Sequence, residues 1–407
     1  MVPTFHLSYY LLLLMVFTIP WENSVVFDGL GTIVRPIGSL AFIMTLLHLF
    51  KTGIYRPLNS IHYLLLAFVV WSAVSVLWSV DPELTFIRIK TYAQLFVMIW
   101  LIWELIQTDQ QMRVLLQTYI LGAYVSIANT FSKFLDTEQV NYGRYAAEGF
   151  DPNDLGVILA LGIPMAWYLL IVQKTFILKW LNAAYILLGM LAIIMTASRT
   201  AFAVAILGLF YIALIYGRLS HRTKILVIVF IMISLFWGLK VIPNGAFDRI
   251  LTIQEEVNSG SLSGRGELWF AGLEMVNEQP LLGVGAGAYP AALEEFLGTR
   301  ELSHNTLLSV IAETGVIGLI LFLTVLFISF YTACQTSYLE ATLFFVLLTI
   351  WLLASMFLTW ELRKPTWLLF ALIALEHSKV QSKKNSLNTS SQKGKDYLSI
   401  TSGLSIK

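Results

Sequence analysis

Long runs of apolar residues, each about one bilayer in length and separated by short polar breaks, recur from residue 7 to about residue 378. A helix needs about 20 mostly apolar residues to cross the hydrocarbon core. The runs predict spans at 7–20, 31–50, 60–79, 89–106, 113–133, 154–172, 180–197, 200–216, 225–242, 306–330, 341–359 and 365–378. The stretch LVIVFIMISLFWGL at 226–239 is apolar on every face, whereas a transmembrane β-strand alternates apolar and polar over about 10 residues. The pattern therefore predicts an all-α, polytopic bundle of about 12 spans and excludes a barrel. The first apolar run has no basic stretch before it and no small-residue cleavage site after it, so it is expected to stay as a span.

Charge orients this bundle, because cytoplasmic loops carry an excess of Lys and Arg. Lys51, Arg56, Lys174, Lys179, Arg218, Arg222 and Lys224 fall on one side. With twelve spans, Lys379, Lys383, Lys384, Lys393 and Lys395 join them, and both termini face the cytoplasm. Glu22, Asp28, Asp81, Glu83 and the acid-rich segment from Asp136 to Asp154 fall on the other side, with one large periplasmic loop at 243–305. The expected organisation is a membrane domain over 1–378, including that loop and its short helices, and a cytoplasmic tail over 379–407. The tail's Ser, Lys, Asn and Gly composition is that of disorder.

Composition agrees, with 57% hydrophobic residues, 13% charged residues and a mean hydropathy of +0.74 over 407 residues. A net charge of +1 by itself says nothing about partners; no nucleic-acid partner is expected. The one cysteine, Cys334, excludes an intramolecular disulfide. The six histidines show no HxH or HExxH spacing and no cysteine partner, so neither a metal site nor a cofactor is expected.

Chemistry is sought where polar groups interrupt the apolar pattern, since ionisable residues near spans default to function. In TASRTAF at 196–202, Arg199 sits at a tight hairpin between two spans. It is open to two readings, a guanidinium snorkelling to headgroups or a fork for phosphate flanked by Ser and Thr hydroxyls. In SGRGELWFAGLEMVNEQP at 263–280, helical spacing of Leu268, Trp269, Gly272, Leu273 and Val276 predicts an amphipathic helix with Arg265 in its first turn. A cation there opposes the helix dipole by roughly 0.3–1 kcal/mol; a shared anion bound with the free N–H groups accounts for it, as does an ion pair with Glu267 or another acid.

In LSHNTLLSVIAETGVIG at 302–318, Ser303 or Asn305 can cap a helix beginning at about Thr306. His304 then lies at a positive helix end that favours neutral imidazole, either as a base for a hydroxyl proton or as a polar helix start. Between these two segments, PLLGVGAGAYP at 280–290 has the spacing of a dinucleotide fingerprint, but no βαβ unit fits between two spans. Its glycines are expected to serve turns and close backbone approach. The turn FDPNDLG at 150–156 offers Asp151, Asn153 and Asp154, either as helix caps or as contacts to sugar hydroxyls.

Taken in order, SRTAF, GRGELW, GVGAGAY, SHNTLL and ETGVIGL resemble the O-antigen ligase and polymerase superfamily, over about residues 196–320. The resemblance implies a polytopic glycosyltransferase of the bacterial inner membrane, acting at the periplasmic face without a metal. Its donor would be a glycan on undecaprenyl diphosphate. The acceptor would be lipid A core for a ligase, or a second lipid-linked glycan for a polymerase of O-antigen or exopolysaccharide. It implies that Arg199 and Arg265 bind the diphosphate and that His304 is the catalytic base; Asn305, next to His304, is a further candidate glycan contact. Ligase-type transfer is the first expectation and polymerisation the second. A polysaccharide transporter or flippase ranks last, because it would show internal repeats and midplane charges.

Overall fold

The computed structural model describes residues 3–136, 143–219, 221, 224–225 and 264–382. They form an all-α bundle. Its helices are α1 (Pro3–Thr18), α2 (Val34–Thr52), α3 (Ser60–Val74), α4 (Pro82–Leu105), α5 (Asp109–Leu135), α6 (Pro152–Val172), α7 (Phe176–Met195), α8 (Arg199–Ile215), α9 (Arg265–Glu278), α10 (Tyr289–Leu297), α11 (Thr306–Ala333) and α12 (Tyr338–Ser355), followed by α13 over 364–382. A two-residue antiparallel hairpin, Val26–Phe27 with Gly31–Thr32, is the strand pairing among the described residues.

Ten of these helices, α1 to α8 with α11 and α12, are long and apolar enough to cross a membrane. The expected span at 225–242 lies outside the described residues, as do residues 243–263 of the expected loop and 383–407 of the expected tail. The last expected span, 365–378, lies within α13, which carries Lys364, Glu376 and Lys379 toward its ends. The boundary expected at 378 therefore falls inside a helix, and Lys379 pairs with Glu376 and Asp109.

One boundary matters for chemistry. The span expected from 89 starts at Pro82, because Asp81 accepts the Leu84 N–H at 3.1 Å and Pro82 occupies the first helical position, where its missing N–H costs nothing. Arg88 therefore lies inside α4, and it is buried.

The bundle has two chemically distinct ends. At the lower end Arg56 stacks over Trp103 and its N–H donates to Glu104, Asn59 Nδ2 donates to the Ala374 carbonyl, and Arg218 stacks over Tyr338. At the upper end Lys364 pairs with Glu22, Arg363 pairs with Asp154, and Ser24 donates to the Glu148 carbonyl. Helices α2, α4, α6, α8 and α11 begin at this upper end. Among them α6 is the central element, with 83% of its apolar window buried.

The glycine segment 280–288 dips into the upper end and meets a break in α11. Gly315 has φ 65 and ψ −172, and a Cβ on it would lie 2.1 Å from the Leu281 carbonyl oxygen. The carbonyls that the break releases at Ala312, Glu313 and Thr314 accept from Val284 N–H at 2.9 Å, Gly285 N–H at 2.9 Å and Trp71 Nε1 at 2.8 Å. A broken helix in a bilayer is tolerated when its freed groups find such partners. Gly285, at φ 107, would place a Cβ 2.3 Å from Ser79 Oγ, so the close backbone approach expected of these glycines is present.

Candidate active site

The site is best built from the start of α11. Asn305 is the N-cap, its Oδ1 accepting the Leu308 N–H at 3.0 Å. Before it, His304 has φ 49, and the Asn305 N–H donates to Ser303 Oγ at 3.2 Å across it. This turn is held from two sides. Trp269 Nε1 of α9 donates to the Ser303 carbonyl at 2.9 Å, while Thr306 Oγ1 donates to the Leu358 carbonyl at 2.7 Å and accepts the Trp360 N–H at 2.8 Å. His304 itself is half-buried.

Helix α8 begins in the same way. Ser198 is the N-cap, its Oγ accepting the Ala201 N–H, and Arg199 is the first helical residue. Ala197 before it has φ 48, and the Ser198 N–H donates to Thr196 Oγ1 at 3.3 Å. The turn packs on α6, where a Cβ on Gly156 would lie 2.4 Å from Ala201 Cβ and 3.2 Å from Thr196 Oγ1. Arg144 ties the same pieces together, donating from Nε to the Thr196 carbonyl at 2.9 Å and from Nη2 to Asn153 Oδ1 at 2.9 Å.

Arg265 is the first residue of α9, one turn before the Trp269 that grips Ser303. The expected amphipathic helix is thus present, starting after Gly264 with φ 80. Burial holds the His304 imidazole below its ordinary range, the Arg265 charge lowers it further, and Asp151, Glu301 and Asp154 oppose the shift. His304 and Arg265 are therefore electrostatic neighbours, and the neutral, proton-accepting form of the imidazole is the favoured one near neutral pH.

The acids of α6 have defined partners. Asp151 is the N-cap, with Oδ1 accepting from the Asn153 and Asp154 N–H groups at 2.7 and 3.4 Å. Asp154 accepts from Trp360 Nε1 at 2.8 Å and pairs with Arg363. Capping and positioning account for these groups directly; Asp151 is exposed, whereas both oxygens of Asp154 are engaged.

The sequence reading missed the turn at 356–363, which joins the pieces. Its residues grip Thr306, Asp154 and, through Thr359 Oγ1 at 3.3 Å, Ser303. The signal was the run Glu361, Arg363, Lys364 between two apolar segments. Beneath this turn lies a second feature absent from the sequence reading, a buried cluster of Arg88, Glu313 and Glu361.

A cavity of about 340 Å³ lies between α1, α2 and α4 at the same level. Met15, Val34, Phe42, Leu95, Met98 and Leu101 give it apolar walls, and Arg35, Leu362 and Lys364 also line it. Among the described residues no group of three or more His, Cys, Asp or Glu side chains is placed to hold a metal ion.

The family model described as O-Antigen ligase matches residues 183–323, which contain Arg199, Arg265 and His304. Over these residues the chain is similar to the O-antigen ligase and polymerase superfamily. Among curated proteins, the chain is 28% identical over 293 residues to the Exopolysaccharide production protein ExoQ of Rhizobium meliloti (strain 1021). That match covers 65% of this chain and 63% of the relative's length. With ten helices suited to spanning a bilayer, this is a multi-pass membrane protein.

Proposed function

We propose that this protein is a glycosyltransferase that moves a glycan from undecaprenyl diphosphate to an acceptor hydroxyl, with its upper end at the periplasmic face of the bacterial inner membrane. The observation that carries the proposal is His304, a half-buried imidazole at the start of α11 whose pKa burial and the Arg265 charge lower. It stands where the starts of α6, α9 and α11 converge.

In this reading His304 accepts the proton of the acceptor hydroxyl as that oxygen attacks the anomeric carbon. The bond from that carbon to the diphosphate breaks, and the departing lipid diphosphate takes the electron pair. Arg199 and Arg265, each at a helix N-terminus, stabilise the growing negative charge with guanidinium forks and the positive ends of their helices. A divalent metal would supply the same stabilisation, so the paired arginines make one unnecessary. Asn305 and the exposed Asp151 face acceptor or donor sugars, and Asp154 fixes the turn at 356–363. The apolar cavity between α1, α2 and α4, with Arg35 and Lys364 along it, receives the polyprenyl chain below its charged head.

Ligase-type transfer to lipid A core is the first reading. Polymerisation of lipid-linked units is the second, favoured by similarity to an exopolysaccharide production protein. Purified protein given an undecaprenyl diphosphate-linked glycan in EDTA should release undecaprenyl diphosphate. Product attached to lipid A core identifies a ligase, and longer chains on the same lipid identify a polymerase. Intact donor with either acceptor, in EDTA and with magnesium alike, would refute the proposal; release only with magnesium would refute its metal independence.

A further inference from the structure

Four elements meet around one guanidinium beneath the site. Arg88 of α4 donates from Nη1 to Glu313 Oε2 at 3.1 Å, to Glu361 Oε1 at 2.9 Å and to the Tyr92 hydroxyl at 3.3 Å. Its Nη2 reaches Glu313 Oε1 at 3.5 Å. The Gly287 N–H of the glycine segment donates to Glu313 Oε2 at 2.7 Å. Ser309 Oγ lies 3.4 Å from Glu313 Oε1 and 3.3 Å from Glu361 Oε1, with one proton to give between them. All of these side chains are buried.

The two carboxyls are not equivalent. Both oxygens of Glu313 receive donors. Glu361 is wholly buried, and its Oε2 has no hydrogen-bond partner among the described residues. If both acids were ionised, one guanidinium would face two negative charges, and the excess would rest on an oxygen with nothing to stabilise it. A buried charge without a partner is the costliest arrangement available, and a proton removes it.

Among the described residues, the other titratable groups facing Glu361 offer no second cation. Tyr92 comes from α4 and Glu313 from α11, with Tyr289 of α10 felt at Glu313. On Glu361's own segment, Arg363 is turned to Asp154 and Lys364 to Glu22. Burial also pushes the Glu361 carboxyl above the ordinary carboxylate range.

We propose that Glu361 is a resident proton site, a neutral carboxylic acid docked against the Arg88–Glu313 ion pair, and that this cluster positions the turn at 356–363 against the start of α11. The link to turnover rests on the reading of His304 as the base. The cluster reaches the site along three arms. Glu313 lies seven residues after Thr306, roughly 10 Å down the helix. The Gly287 N–H anchors the glycine segment. Glu361 anchors the turn whose Leu358 and Trp360 hold Thr306 and whose Trp360 and Arg363 hold Asp154. These are positioning residues, since none faces the site.

Infrared spectra of purified full-length protein at pH 8 read the proton directly. Wild type minus Glu361→Gln should show the carbonyl stretch of a protonated carboxylic acid, shifted in D2O. Glu361→Gln, which replaces a neutral acid by an amide of the same shape, should keep kcat within about threefold. Glu361→Ala should lower kcat by about 10² through misplacement of His304, with little change in KM for the donor. Absence of the carbonyl band would overturn the proton site. Equal damage from Gln and Ala would overturn the neutral-acid docking, and an unchanged kcat in Glu361→Ala would overturn the positioning role. A band that is present while His304→Asn turns over normally would leave the proton site standing and overturn only the reading of His304.

Discussion

Ala197 and His304 share one backbone device: each adopts a left-handed φ, 48 and 49, inside a turn in which a Ser or Thr hydroxyl accepts the N–H two residues on. They are the two non-glycine residues with positive φ among the described residues. In each case the next residue caps a helix at the upper end, and Arg199 or Thr306 then opens that helix. Left-handed φ costs an L-residue roughly 1–2 kcal/mol, and such strain tends to collect at functional sites.

The shared turn separates backbone from side-chain roles. Glycine accepts this φ freely but loses roughly 0.5–1 kcal/mol in chain entropy, so Ala197→Gly should stay within about 1 kcal/mol of wild-type stability and keep its transfer rate. His304→Gly should fold equally well, yet lose transfer. Thermal unfolding and transfer measured on both variants check this; a strongly destabilised His304→Gly would mean that the imidazole holds the turn.

The sequence shows most of the architecture and half of the site. Ten spans are legible because each is a continuous apolar run, and Asn305 is one of the two caps that residue type offers for α11, whereas the cap at Ser198 is not read from it. The helix at 265–278 was legible from its spacing. Arg88 is not, because the expected span begins at 89, one residue after it, whereas the Asp81 cap and Pro82 start the helix about two turns earlier. Glu313 and Glu361 lie 225 and 273 residues from Arg88, and no local pattern announces a contact at that separation. The turn at 356–363 is not legible as part of a site, because Glu361, Arg363 and Lys364 form only a short polar break between two apolar runs.

The pH dependence follows from His304. Its folded-state pKa is lowered from 6.5, by burial first and by Arg265 second, so the proton-accepting form persists as pH falls through 6.5. The acid limb of kcat/KM should therefore lie below 6.5. In Arg265→Gln, the residual activity should show that limb moved back toward 6.5, but only in part, since burial remains. An unmoved limb would separate Arg265 from His304.

Arg199 and Arg265 should not tolerate lysine. A planar fork makes paired bonds to a diphosphate that an ammonium does not reproduce, and charge-assisted hydrogen bonds are worth about 1.5–3 kcal/mol each. Arg199→Lys and Arg265→Lys should each lower kcat/KM by roughly 10- to 100-fold. Steady-state kinetics at fixed acceptor decide it, and wild-type values in both variants would reduce the arginines to headgroup or ion-pair contacts.

The cavity between α1, α2 and α4 makes a prediction about chain length. Ser39 lines it from α2 and is exposed. Ser39→Trp should fill the apolar slot and raise KM for a long-chain polyprenyl donor several-fold, by about 1 kcal/mol or more of lost apolar burial. A short-chain donor analogue should be unaffected. Equal effects on both donors would place the lipid chain elsewhere.

The central claim is that His304 takes the acceptor proton, and it is tested most directly by His304→Asn with donor binding and transfer measured separately. Asparagine is polar and tolerates the left-handed φ of this turn, but an amide does not accept a proton at neutral pH. General-base assistance is worth about 10²–10⁴ in rate. The account predicts unchanged binding of the undecaprenyl diphosphate-linked donor and a fall in transfer of that order; near-normal transfer by His304→Asn would contradict it.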